Sequence, residues 1–194
     1  MLEVLPHQDS WSDDFRRLQD SLEQLFQGNA LAISHIGSTA IVGLVAKPII
    51  DIQVSVRELA VMSSIELLPD GFEHVVENNK DFAPLGYSSD ASEWRKHFVH
   101  VIRGDKRHAH IHIREVGRAN ERIALLFRDF LREHSLHRAA YGQLKLQLAN
   151  VVGHLATESG SGPYVELKDP LIAVILNAAE EWAHSSDWRI ADSR

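Results

Sequence analysis

The chain has 194 residues, 44% of them hydrophobic, which is enough for one real core and short for two independent domains. Its formal charge of −7 argues against a broad nucleic-acid or anionic-membrane surface, while leaving room for a small basic pocket that suits a small substrate. It has no cysteine, which removes disulfides, thiolate nucleophiles and Cys-based zinc sites and leaves His, Asp and Glu as the available metal ligands.

The first residues, "MLEVLPHQDSW", lack a basic stretch followed by a long apolar one, and no apolar run approaches the roughly 18 residues of a membrane helix, so a soluble, cytoplasmic protein without a membrane partner is expected. Ser10 or Ser12 is placed to cap a helix with Asp13 and Asp14 in its first turn, with Phe15, Leu18, Leu22, Leu25 and Phe26 at helical spacing and Gly28 as its stop. Leu31 to Ile36 and Pro48 to Val56 read as strands, Glu58 to Leu68 as a short helix, and Pro69 to Gly71 as a turn into a strand over Phe72 to Glu77. Asn78 to Ser92 reads as a long surface loop and a possible lid.

Trp94 to Ile102 and Arg107 to Arg114 flank "RGDK", residues 103–106, as a hairpin with a four-residue connection. Ala119 to Glu133, Leu136 to His154 and Tyr164 to Trp182 show helical recurrence of apolar residues, with "SGSGP", residues 159–163, as the break before the last helix. This order predicts an α+β fold in one domain over 1–194: a mixed β-sheet core over about 28–115 flanked by helices, and a C-terminal helical extension over about 118–185.

In "PIIDIQVSV" the two-residue period of a strand puts Asp51, Gln53 and Ser55 on one face, while Ile50, Ile52, Val54 and Val56 face the core. Upstream, Gly37 and Ser38 enter a turn whose backbone N–H groups and hydroxyl could hold a phosphate between the turn and Asp51; the alternative is a plain turn beside a solvated aspartate. His108, His110, His112 and Arg114 alternate with Ala109, Ile111 and Ile113 and so share one strand face, as either a ligand-binding or a solvated polar surface.

His35 could point into such a site or out of the sheet. Lys47, Arg95, Lys96, Arg128 and Lys145 are candidate cations for a phosphorylated substrate, each with a solvated or salt-bridged alternative. The four tryptophans are too scattered for a base-stacking platform.

An apolar-Gly-Ser step, the residues 39–50 and an Asp-apolar-polar strand together resemble the nucleotidyltransferase superfamily signature. More narrowly, "HIGSTAIVGLVAKPIIDIQV" resembles the hallmark of the GrpB family, assigned to that superfamily and sometimes fused to dephospho-CoA kinase. The resemblance continues through "RHAHIHI", "LLFRDFLREH", "YGQLKLQLA" and "YVELK" in the family's order.

The resemblance implies a nucleotidyltransferase-like fold. It also implies a protein that binds a nucleotide or other phosphorylated small molecule with a divalent metal, and that transfers a nucleotidyl group to a small acceptor. Asp51, Gln53, His110 and His112 are the implied catalytic positions, Gly37, Ser38, Lys47 and Arg128 the implied cofactor-binding ones, and Asp51, His110 and His112 the metal ligands. The metal would be Mg²⁺ or Mn²⁺, or Zn²⁺ or Fe²⁺ for a set with two imidazoles.

Two positions depart from the family pattern. Gln53 stands where the superfamily has a second carboxylate, which puts a two-metal site in doubt, and Ala109 replaces the first histidine of the family's His-His-apolar-His strand. Two other readings stay open: a non-catalytic binding or accessory module, and a His/Asp metal-dependent enzyme of different chemistry.

Overall fold

The computed structural model describes residues 2–64, 68–155 and 163–190. The end of the expected helix over 58–68 and most of the "SGSGP" break lie outside the described residues. Helix α1 spans Ser10–Phe26 and buries Trp11, Leu18, Leu22 and Phe26 along one stripe. It ends where Gln27 and Gly28 take left-handed conformations. Neither expected serine caps it: Ser10 is already helical, and the Ser12 hydroxyl donates to the Asp9 carbonyl at 2.9 Å.

Five strands follow: β1 (Ala30–Ile36), β2 (Ile50–Val56), β3 (Phe72–His74), β4 (His97–Arg103) and β5 (Lys106–Glu115). They form one mixed sheet in the order β1-β2-β5-β4-β3, with β2 and β5 parallel and the other neighbours antiparallel. The central position of β2 and β5 accounts for their apolar residues Ile50, Ile52, Val54, Ile111 and Ile113, which pack with the α1 stripe in one core.

The hairpin between β4 and β5 is tighter than the sequence predicts, because Arg103 and Lys106 pair with each other and leave only Gly104 and Asp105 as the link. Gly104, with φ +63°, supplies the left-handed residue such a two-residue turn needs. The strand expected over 72–77 stops at His74, and the segment expected to be helical at 58–64 is a 3₁₀ helix over Leu59–Ser64.

The second half is helical: α2 (Ala119–Glu133), α3 (Ser135–Val152), α4 (Pro163–Glu166) and α5 (Asp169–Ser186). The single last helix expected over 164–182 is divided, because Pro170 lacks an N–H and fits only in the first turn of a new helix. A second core joins Ile41 and Leu44 to Leu126, Phe130, Leu131, Tyr141, Ile175 and Ala179, so the loop between β1 and β2 is clamped by these helices.

α2 also covers part of the β2 face expected to be open. Gln53 and Ser55 are fully buried there, Ser55 Oγ donating to Glu121 Oε1 at 2.9 Å and Gln53 Nε2 to the Glu121 carbonyl at 3.2 Å.

The segment expected to form a lid is tied down. Asp81 N–H donates to the Trp94 carbonyl, Lys96 N–H to the Asn79 carbonyl, and Tyr87 Oη to Glu180 on α5. Its Asp81 carboxylate accepts from Lys96 Nζ at 2.8 Å, Arg114 Nε at 2.9 Å and Asn120 Nδ2 at 3.1 Å. Among the described residues, no helix is long and apolar enough to cross a membrane.

Candidate functional site

β1 ends at Ile36, directly across from Asp51 at the start of β2. The chain must then turn sharply at Gly37, whose φ is +68° and whose missing Cβ would lie 2.4 Å from Asp51 Oδ2. Only glycine satisfies both demands. The turn continues as a 3₁₀ helix over Ser38–Ala40, so Gly37 and Ser38 meet Asp51 as the sequence pattern implied.

On the other side of β2, the parallel register sets Asp51 beside His110 and Gln53 beside His112. His110 Nδ1 donates to Asp51 Oδ1 at 3.1 Å. That bond selects the tautomer with a lone pair on Nε2, which is buried and has no hydrogen-bond partner among the described residues. An imidazole oriented by a carboxylate in this way can act as a general base or as a metal ligand.

Asp51 and His110 open onto a cleft of about 1030 Å³ whose wall includes Ser38, Lys47, Arg107, Tyr141, Lys145, Tyr164 and Lys168. Lys145 is buried, and among the described residues its ammonium donates only to the Val45 carbonyl, at 2.5 Å. Lys47 and Lys168 hold their ammonium groups 4.8 Å and 5.6 Å from the Tyr164 ring centroid. None of the three has a carboxylate within ion-pairing distance among the described residues.

Burial, together with the neighbouring Lys168 and Lys47 charges and against the pull of Asp51, lowers Lys145 to about 7. Burial lowers Lys168 and Lys47 as well. Among the described residues, Arg107 Nε and Tyr164 Oη are buried without hydrogen-bond partners. In a chain of net charge −7, the cleft gathers Lys47, Arg103, Lys106, Arg107, Lys145 and Lys168 against Glu3, Asp51 and Asp105, an excess of cations that can bind an anion carrying several oxygens.

The other expected site residues lie elsewhere. Gln53 Oε1 accepts from Arg114 NH1 at 2.7 Å, so its amide is used inside the fold. His112 shares the Asp51 face, but its Nδ1 accepts from Arg114 NH2 at 3.2 Å and Lys96 Nζ at 3.4 Å. Burial and those two cations hold His112 well below its ordinary value. Asp51 and His110 are thus brought together, whereas His112 joins the Asp81 network; no cluster of three or more His, Asp or Glu able to hold a metal exists among the described residues.

Arg128 is buried on α2, with NH1 donating to the His35 carbonyl at 2.9 Å and Nε to Asp129 at 2.7 Å, and it lines a second cleft rather than that of Asp51. Lys47 does line the Asp51 cleft. His35 stacks on Phe15 and lies 3.0 Å from Thr39 Oγ1; burial lowers it to about 4.

Sequence reasoning missed Arg107, Tyr141, Tyr164 and Lys168. A signal was present: "YGQLK" and "YVELK" are both Tyr-x-x-Leu-Lys, a spacing that sets tyrosine and lysine one helical turn apart. Both pairs converge on the cleft.

Comparison with known proteins gives these features a context. The profile of the family described as "GrpB protein" matches residues 1–178. The UPF0157 protein YqkA of Bacillus subtilis is 31% identical over 93% of this chain and 48% of its own length. A dephospho-CoA kinase of Mycobacterium bovis is 31% identical over 96% of this chain and 48% of its own length. The chain therefore spans about half the length of these curated relatives. The crystal structure of conserved protein GrpB from Enterococcus faecalis matches with a TM-score of 0.72 at 30% identity, covering 93% of this chain and 99% of that one.

Proposed function

The chain belongs to the GrpB family, and from that membership and the chemistry of the cleft we propose that it binds a nucleotide or another phosphorylated small molecule between the Gly37–Ser38 turn and the lysines at 47, 145 and 168. The observation that carries this reading is the set of three lysines that, among the described residues, have no carboxylate partner and all line one cleft. Charges gathered against their mutual repulsion and the cost of burial are stabilised by a polyanion that enters between them. Curated relatives named dephospho-CoA kinase agree in kind with a phosphorylated ligand.

Asp51 is the residue that would hold a divalent cation, with His110 Nδ1 orienting its carboxylate. One carboxylate fits an ion completed by ligand phosphates and water, as is usual for Mg²⁺ and open to Mn²⁺, better than a cage built by the protein alone. Such an ion would polarise phosphate oxygens. In the catalytic form of this reading, a nucleotidyl group passes to a small acceptor, with the lysines and the Gly37 turn holding the phosphates and His110 orienting the Asp51 carboxylate.

The engagement of Gln53 with Arg114 favours a second reading, a binding module without transfer chemistry, because the position of the superfamily's second carboxylate supplies neither charge nor a free oxygen to the cleft.

A thermal-shift screen of nucleotides and inorganic pyrophosphate, crossed with Mg²⁺, Mn²⁺ and Zn²⁺, tests the proposal. A ligand present at 100 times its dissociation constant stabilises by about 2.7 kcal/mol. The expected result is stabilisation by phosphorylated compounds that Lys168→Ala reduces. Absence of stabilisation by every phosphorylated compound, with and without metal, overturns it.

A further inference from the structure

Lys145 differs from its neighbours in the cleft. It is 4% exposed, whereas Lys47 and Lys168 are only partly buried. Its Nζ is anchored at 2.5 Å by the carbonyl of Val45, a neutral acceptor, and lies 5.4 Å from the Tyr141 ring centroid. A buried lysine kept for charge alone would be paired with a carboxylate, as Lys96 is with Asp81 at 2.8 Å in this same fold. Phosphate binding does not require this isolation, since Lys47 and Lys168 already supply more accessible charge to the same wall.

We propose that Lys145 is a carbonyl-reactive amine, and that the cleft captures phosphorylated aldehydes or ketones as a Schiff base on its Nζ. This rests on the phosphate-binding reading and adds a covalent step to it. The phosphate would sit among Lys47, Lys168 and Arg107, presenting the carbonyl carbon to Nζ.

The Nζ lone pair attacks that carbon, a C–N bond forms, and the carbonyl π pair moves to oxygen. Both amine protons leave with that oxygen as water, and the resulting imine takes up one proton to become an iminium. No oxidant or reductant is consumed, and hydrolysis reverses the step. Lysine is reactive only as the free amine, and burial with the Lys168 and Lys47 charges, opposed by Asp51, brings Lys145 to about 7 and so populates that form near neutrality.

The test uses pyridoxal 5′-phosphate, which combines an aldehyde with a phosphate, on the intact protein, followed by borohydride reduction and peptide mass mapping. The expected result is labelling of Lys145 at pH 7.5 roughly tenfold or more faster than the exposed Lys80. Inorganic pyrophosphate should block the label. Lys145→Arg should lose the label, while the labelling rate of the exposed Lys80 stays as in the wild type.

Labelling spread evenly over the surface lysines, or confined to Lys168, overturns the assignment to Lys145. Pyrophosphate stabilisation without label on Lys145 overturns the Schiff base and leaves phosphate binding standing. Absence of both removes the two readings together.

Discussion

At Gly37 two constraints coincide: φ is +68°, and the place of a side chain is filled by the Asp51 carboxylate. Gly37→Ala must strain the backbone and push Asp51 away, at a cost of about 1–3 kcal/mol. The expected outcome is a lower urea midpoint together with lost pyrophosphate stabilisation. Unchanged binding would show that the turn does not shape the site.

His35, one turn behind Thr39, gives a pH-dependent expectation. Burial holds the folded ring at about 4 against an ordinary 6.5, so the unfolded chain takes up a proton before the folded one does. Its contribution to stability is present above about pH 6.5 and is lost as the pH falls toward 4. Denaturation midpoints should therefore decline across that window in the wild type and decline less in His35→Gln, a difference read directly from paired titrations.

Residues whose partners lie near in sequence, or share a known pattern, were legible: the Gly37–Ser38 turn, Asp51 and the alternating histidine face. Gln53 was legible as a departure but not as a buried amide, because its partner Arg114 is 61 residues away and nothing local announces the pairing. His112 was misread for the same reason. Its alternation with His110 fixed the face it shares, while Lys96 and Arg114 determined what it touches there.

The helices α1 and α2 followed from periodicity because each buries one face, and both match their apolar spacing closely. The loop over 78–92 did not, since its composition is that of a free loop and the contacts that tie it, Asp81 to Lys96 and Arg114 and Tyr87 to Glu180, lie far away in sequence. Burial alone would raise the Asp81 carboxyl, but Arg114 and Lys96 hold it well below the usual carboxylate range.

A depressed carboxylate stabilises above its unfolded value and loses that contribution as the pH falls through the folded one, so this network resists acid until well below pH 4. Asp81→Asn leaves Lys96 and Arg114 buried without their counter-charge, and should cost about 3–5 kcal/mol by chemical denaturation. A cost below about 1 kcal/mol would mean that the loop is held mainly by its backbone bonds and by Tyr87.

Across the whole molecule, the cleft is assembled from distant parts: the turn after β1 and the ends of β2 and β5 supply Gly37, Asp51 and His110, while α3 and the segment after α4 supply Lys145 and Lys168. This division explains why the acidic partner of the site was readable from a single stretch while only Lys47 and Lys145 of the basic wall were, for only tertiary packing brings the two Tyr-x-x-Leu-Lys turns opposite Asp51. An anion bound there would bridge the sheet and the helices, and hydrogen exchange should register that bridge.

With inorganic pyrophosphate, amides of residues 37–40 and 163–168 should slow together, because local opening of either segment must release the ligand. The loop over 78–92, tied through Asp81 to Lys96 and through Tyr87 to Glu180, outside the cleft, should exchange as before. Slowing confined to the lysine-bearing helices would place the anion away from Asp51. Slowing spread evenly over the chain would report general stabilisation rather than a ligand held between the two halves.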